Sequence, residues 1–262
     1  MTTITQAAQK TVVWGGFQVW QRNRDAFQRS WSVEIGGMAV EPFLFLLAIG
    51  YGLGKYVQPF DDVSYAEFVA PGILGMYAMM HATFDTSYGS YLRMETHHVY
   101  DAILFTPLEP EDIVVGEVMW GATRSVITGV AVLAAMLVFG LAGSPMVIAV
   151  IPAAFLIGVA IGSLSMTFTA VAPSIGSLTN FFTLFISPMT FFCGVFFPLG
   201  SLPAAAQVGA WALPLTPGVA LIRGFSAGDL SWMMLAWVLE LVVFSIVGLT
   251  MASILMRRRL VK

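Results

Sequence analysis

The sequence predicts an all-α integral membrane protein with six transmembrane helices, and three observations carry that prediction. Of its 262 residues, 58% are hydrophobic and only 10% charged, against roughly 25% charged in a soluble domain. The mean hydropathy is +0.82. The apolar residues fall in runs of the length, about 20 residues, that a helix needs to cross a hydrocarbon layer of roughly 30 Å. The connections between those runs are too short to hold a folded extramembrane domain.

The spans are expected at 33–55, 67–92, 113–140, 146–171, 176–198 and 232–256. The third is weakest at its start, because its unbroken apolar run begins only after Arg124. Leu141–Pro145 and Pro173–Ile175 are tight connectors. With no internal repeat and no low-complexity tract, residues 1–262 read as one domain. The net charge of −3 says nothing about nucleic acid, and no basic cluster with interleaved aromatics points to such a partner. Cys193 is the single cysteine and lies in an apolar run, which rules out an internal disulfide and a cysteine-based metal site. The first 30 residues are polar and carry Lys10, Arg22, Arg24 and Arg29, so no cleavable leader is expected.

Basic residues set the orientation. Those four precede the first span, and Arg257, Arg258, Arg259 and Lys262 follow the last. Six spans put both termini on one side, and the positive-inside bias makes that side cytoplasmic. Within residues 10–31, Val13, Phe17, Trp20, Phe27 and Trp31 recur at helical intervals, with Arg22, Arg24, Asp25 and Arg29 largely elsewhere around the turn. This predicts an N-terminal amphipathic helix lying in the cytoplasmic interface.

The connection between spans two and three, Arg93 to Asp112, is then cytoplasmic as well. Residues 96–105 can form a short helix stopped by Pro107, with Val99, Ala102, Ile103 and Phe105 apolar. These side chains have no span of their own to pack on, so they meet either the membrane surface or a groove on a soluble partner. His97 and His98 beside Glu95 and Asp101 lack the i+4 spacing of a metal site, and a partner-facing loop is the better reading.

Ionisable residues inside spans are costly, which makes Glu41, Asp85, Glu117, Arg124 and Glu240 functional candidates. Interhelical pairing, with Arg124 on a carboxylate, is the preferred account. His81 and Asp85 are four apart on one helix face and would suit an intramembrane enzyme. No Gly-x-Ser-x-Gly, His-Glu-x-x-His or Gly-x-Gly-Asp string accompanies them. A channel is a third class, disfavoured because no span shows a regular polar stripe. The "GYGLG" at 50–54 lacks the Gly-Lys-Ser/Thr of a phosphate loop and reads as small residues for close packing.

Residues 196–224 are apolar, yet Pro198, Pro203, Pro214 and Pro217 break them up. The longest free stretch, Ala204 to Leu213, would reach about 15 Å as a helix, half the hydrocarbon core. The segment falls outside, between spans five and six, and is expected to dip into the outer leaflet and return. Its freed backbone groups then need protein partners. Gln207 and Thr216 can supply some, Trp211 suits the interface, and Arg223 is expected to hold the exit at the outer headgroups.

The run "GVFFPL" with Leu202–Pro203, Gln207, "LPLTP" and Arg223 resembles the signature of type-2 ABC exporter permeases. "GYGLG" at 50–54, "YAEFVAPGIL" at 65–74, "YDAILFTPL" at 100–108 and "GEVMWGATRS" at 116–125 resemble the nodulation lipo-oligosaccharide exporter branch, close to polysaccharide exporters. One departure is Pro217, where that branch is expected to carry histidine. The resemblance implies a permease in the inner (cytoplasmic) membrane, working with a separate ABC ATPase that binds ATP and Mg. It also implies a second permease copy and lipid as partners, with no cofactor or metal on this chain. It makes the 96–108 segment the coupling helix, through His97, Tyr100, Asp101, Leu104, Phe105, Pro107 and Leu108. The outer segment becomes a re-entrant hairpin that gates the exit, while Phe181, Phe182, Phe185, Phe191 and Phe192 line the path of an amphiphile or form a core or dimer seam.

Overall fold

The computed structural model describes residues 2–59 and 63–261, with side chains from Gly15 onward. Among them every regular element is helical. In chain order these are α1 (Thr2–Phe45), α2 (Tyr65–Phe84), α3 (Val99–Leu104), α4 (Pro110–Val138) and α5 (Val150–Val171). They are followed by α6 (Ile175–Phe181), α7 (Ser187–Phe192), α8 (Ala204–Trp211), α9 (Leu215–Ala227) and α10 (Met233–Leu260).

Local chemistry sets the helix ends. Ser64 and Glu67 close a reciprocal capping box at the start of α2. Pro110 opens α4 behind a second box between Glu109 and Asp112, since proline lacks only a donor that a first turn leaves unpaired anyway. At the other end, Gly140 and Gly228 take φ values of +67° and +77° just past α4 and α9. That left-handed turn stops a helix and is open to glycine at little cost.

The boundary expected near residue 32 is absent: α1 runs unbroken from the region expected to be interfacial into the first span. No proline interrupts that stretch, and the first one, Pro42, sits inside the helix. Beyond Phe45 the chain continues through a π-helical stretch, Leu46–Gly52, and a 3-10 turn, Leu53–Tyr56. Phe17 and Trp31 are exposed as expected, but Trp20 and Phe27 turn onto α4. Trp20 Nε1 donates to Thr123 Oγ1 at 2.9 Å, and Phe27 meets Trp120 edge-on at 5.5 Å. The side chains of Lys10 and Val13 lie outside the described residues.

Among the described residues, five helical segments are long and apolar enough to cross a membrane: Gly15–Tyr56, Pro110–Val138, Pro145–Val171, Ile175–Phe192 and Met233–Leu260. The pair α8 and α9, bent by 86°, makes a sixth if counted as one. The stretch expected as span two is not among them. It forms α2, extended by π-helical turns at Asp85–Gly89 and Leu92–Thr96, and it carries Glu67, His81, Asp85 and Arg93. Fifteen of the 20 residues of α2 are buried. It lies against α4, α5 and α9, so Thr83 and Asp85 face protein, while Glu67 in its first turn is exposed.

Small residues let the helices approach closely. A Cβ on Gly158 of α5 would lie 2.7 Å from Ala122 Cα of α4, and one on Gly72 of α2 would lie 2.6 Å from the Val195 carbonyl oxygen. Of the "GYGLG" glycines, Gly50 rests on Ala66 and Gly54 on Tyr65. Gly158→Val should therefore push α4 and α5 apart and destabilise the bundle by about 1–3 kcal/mol. Gly37 has nothing within 4 Å of its Cβ position, so Gly37→Ala should be neutral or stabilise by up to about 1 kcal/mol. Thermal unfolding of the two variants in one detergent makes the comparison, and equal midpoints would contradict the packing.

Candidate functional site

The polar residues of the helices converge on one cluster. The π-helical turn at Asp85–Gly89 brings Arg93 back over Asp85: one terminal nitrogen reaches Asp85 Oδ1 at 2.8 Å, the Asp85 carbonyl at 3.0 Å and Glu117 Oε2 at 2.7 Å. Glu117 of α4 is fully buried. It also accepts from Arg22 at 3.2 Å and from Asn23 at 3.2 Å, both on α1. Arg124, one and a half to two turns further along α4, pairs with Asp85 Oδ2 at 3.1 Å and with Glu34 of α1. Three helices are thus joined by charges, each of which has an opposite partner. Removing one partner of such a buried pair strands the other.

These contacts settle several sequence expectations. Arg124 does pair with a carboxylate. Asp85 does not form a catalytic pair with His81, because Arg93 and Arg124 occupy its two oxygens while His81 Nδ1 lies 3.1 Å from the Tyr77 carbonyl. The intramembrane-enzyme reading thereby loses its acid–base pair. Glu41 accepts from the Tyr77 hydroxyl at 3.2 Å. Glu240 is half-buried on α10 and has no ion pair among the described residues. Sequence reasoning missed Arg93, Arg22, Asn23 and Glu34. Eight residues of regular helix would turn Arg93 about 80° away from Asp85. The extra residue absorbed by the π-helical turn removes most of that offset, and no sequence pattern announces it.

Next to this cluster stands α3, the core of the 96–108 segment. His98 enters it with φ +50° and contacts Asp101 through Nδ1 at 3.1 Å. The helix has two unlike sides. Tyr100 is wholly buried, in a small core with Met94, Ile113, Val114 and Met256. Its hydroxyl faces Ser90, Arg93 and Glu117 without closing a hydrogen bond. Burial, reinforced by the Glu117 charge, pushes the phenol well above its usual pKa. Phe105, by contrast, is 92% exposed. His97, Asp101 and Pro107 are exposed as well, and Leu104 and Leu108 are half-buried. Tyr100 was expected among the partner contacts; it points into its own chain, because α4 and α10 supply the apolar walls that α3 lacks. The loop is tied to the end of α10 by Arg259 on Glu95 at 2.8 Å and by Arg257 on Glu111 at 2.9 Å. Among the described residues no three His, Cys, Asp or Glu side chains are grouped to hold a metal.

Helices α8 and α9 form the Pro-broken segment, with Pro203 before α8, Pro214 before α9 and a 3-10 turn after Pro198. Its freed carbonyls find the expected donors: Gln207 Nε2 bonds the Leu202 oxygen at 2.8 Å, and Thr216 Oγ1 the Ala210 oxygen at 2.5 Å. Pro217 is buried in the first turn of α9, and Trp211 stacks on Trp237 at 6.1 Å. Arg223 departs from expectation. It turns inward to the Gly194 carbonyl at 2.9 Å and covers the Phe68 ring at 4.1 Å instead of reaching outward. The phenylalanines divide. Phe181 stacks on Phe168 at 4.5 Å and Phe182 meets Phe84 in a tilted contact at 4.6 Å, so both belong to the packing of the chain. Phe185, in the π-helical stretch Phe182–Ile186 between α6 and α7, and Phe191 and Phe192 of α7 lie exposed.

Comparison with known proteins shows the family of the chain. The profile of the family described as ABC-2 type transporter matches residues 16–226. Nodulation protein J of Rhizobium leguminosarum bv. viciae is 36% identical over 246 residues, which cover 93% of this chain and 94% of that one. Nodulation protein J of Rhizobium meliloti (strain 1021) is 34% identical over 249 residues, 94% of each chain. The inner membrane transport permease YadH of Escherichia coli (strain K12) is 24% identical over 224 residues, 81% of each. The family match runs through the ion cluster, the 96–108 segment and the Pro-broken helices together; this chain belongs to the ABC-2 type transporter family, as a transmembrane permease.

Proposed function

We propose that this chain is the membrane subunit of an ATP-driven exporter that moves an amphiphile out of the cytoplasm or inner leaflet. The cargo is of the lipo-oligosaccharide, polysaccharide, glycolipid or drug-like class. Two copies work with two cytoplasmic ABC ATPase subunits, which bind ATP and Mg and carry out the hydrolysis. The permease sits in the inner membrane with six crossings, α2 being the second, and with both termini in the cytoplasm. Arg22, Arg24 and Arg29 at one end and Arg257, Arg258 and Arg259 at the other favour that orientation. The exposed strip of Phe185, Phe191 and Phe192 suits the seam between copies or the lining of the path.

The observation that carries this reading is the two-sided α3. Phe105 offers an apolar contact to a partner on one side, while on the other Tyr100 abuts the charges that join α1, α2 and α4. A push on α3 from an ATPase reaches the membrane helices through Tyr100 and Arg93 rather than through a flexible loop. At the far end α8 and α9 act as a re-entrant gate. Hydrogen bonds from Gln207 and Thr216 support that role, since they hold short helices in a fixed shape.

Phe105→Asp should leave the thermal stability of the chain alone, because the side chain is already exposed. It should weaken ATPase association about tenfold or more, a cost of at least ~1.4 kcal/mol at the contact. Unchanged co-purification and stimulation would return α3 to a passive surface role. Glu117→Gln removes the charge that Arg93 and Arg22 share and should cost about 3–5 kcal/mol of stability. Tyr100→Phe, which deletes an unpaired hydroxyl, should be neutral. Thermal melts of the pair test the cluster. Replacing residues 203–217 with a Gly/Ser linker should preserve expression and ATPase binding but abolish export. Cargo release by cells carrying that variant would sink the gate.

A further inference from the structure

A cavity of about 820 Å³ lies beneath α9, between the first half of α2 and the start of α10. That is the size of pocket that takes a drug-sized ligand. Arg223 lines it. The Arg223 guanidinium keeps its charge in any setting. Among the described residues it is met by the Gly194 carbonyl at 2.9 Å, the Phe68 carbonyl at 3.4 Å and the Phe68 ring. Its Nε is buried and has no hydrogen-bond partner. No ion pair among the described residues includes Arg223. A largely buried cation without a counter-charge is costly, and the cavity beside it has room for the missing anion.

The rest of the lining says what kind of anion. The stacked pair Trp211 and Trp237 forms an apolar wall, of the amphipathic aromatic type that collects at membrane–water interfaces. Glu67 and Asp229 also line the cavity and are exposed. They would repel a bare phosphate, but they suit a molecule that carries an amine next to its phosphate. We propose that the cavity is a binding site for a zwitterionic aminophospholipid, its phosphate on Arg223 and its ammonium toward Glu67 and Asp229. One acyl chain runs along Trp211 and Trp237. The lipid is a resident of each subunit and not the cargo, so the proposal stands apart from the export reading and needs only that the chain lie in a membrane.

The test is native mass spectrometry of the transporter purified with its ATPase, counting lipids retained per permease after exchange into phosphatidylethanolamine, phosphatidylglycerol or inorganic phosphate. The wild type should hold one phosphatidylethanolamine per chain, at least tenfold in preference to phosphatidylglycerol. Arg223→Gln should lose it and Arg223→Lys should recover part. Ala220→Trp, which fills the cavity without touching the charge, should expel it as well and decides the matter if Arg223→Gln does not assemble. Lys55→Gln, a cation outside the cavity lining, should retain it. Retention by both Arg223→Gln and Ala220→Trp, equal uptake of phosphatidylglycerol, or displacement by millimolar phosphate would each overturn the proposal.

Discussion

A carboxylate with no water contact survives as an anion only where cations and donors replace the solvent, and Glu117 is that group in this molecule. It is fully buried, and three side chains from two other segments converge on it: Arg93 after α2, and Arg22 and Asn23 on α1. The requirement propagates. Arg93 must reach Glu117 and Asp85 at once, which fixes the π-helical turn at the end of α2. Asp85 in turn holds Arg124, which holds Glu34. The relative heights of α1, α2 and α4 follow from one chain of charges. Small residues such as Gly158 then let α5 close against α4.

The two ends of the molecule solve different problems. Near the ion cluster, regular helices are tied by charge, and the short α3 gains a core only by sinking Tyr100 between its neighbours. Around α8 and α9, prolines interrupt the helices, and side-chain donors from Gln207 and Thr216 replace the lost backbone bonds. One end is held by long-range ion pairs and the other by local hydrogen bonds. A displacement at α3 therefore moves several helices together, whereas the bend between α8 and α9 is fixed within the segment itself, by Thr216 on the Ala210 carbonyl.

Much of this was legible in the sequence because it depends on composition and on proline. The helical class, the tight connectors and the broken helices near residues 200–225 follow from those alone, while the pairing of Arg124 with a carboxylate follows from the cost of a lone charge inside a span. What escaped depends on geometry that no periodicity encodes. The unbroken α1 reflects packing on α4 that overrides a change of surface character near residue 32. Arg93 was hidden by a π-helical turn. Tyr100 and Arg223 both point inward, one because its neighbours offer a core and the other because a carbonyl and an aromatic ring lie within reach.

The burial of α2 has a consequence for how the chain is made. Fifteen of its 20 residues are covered by other helices, and it is not among the five segments apolar enough to cross a membrane by composition. During synthesis it emerges after α1 but before α4, α5 and α9, the helices that will cover it. Its lipid affinity at that moment is weaker than that of any of those five, and Glu67, His81, Asp85 and Arg93 have only α1 to meet. Until the later helices emerge, α2 therefore lacks the partners that bury it in the finished bundle. The bundle becomes committed once α4 delivers Glu117 and Arg124, so that the charges fixing the finished architecture also time its assembly.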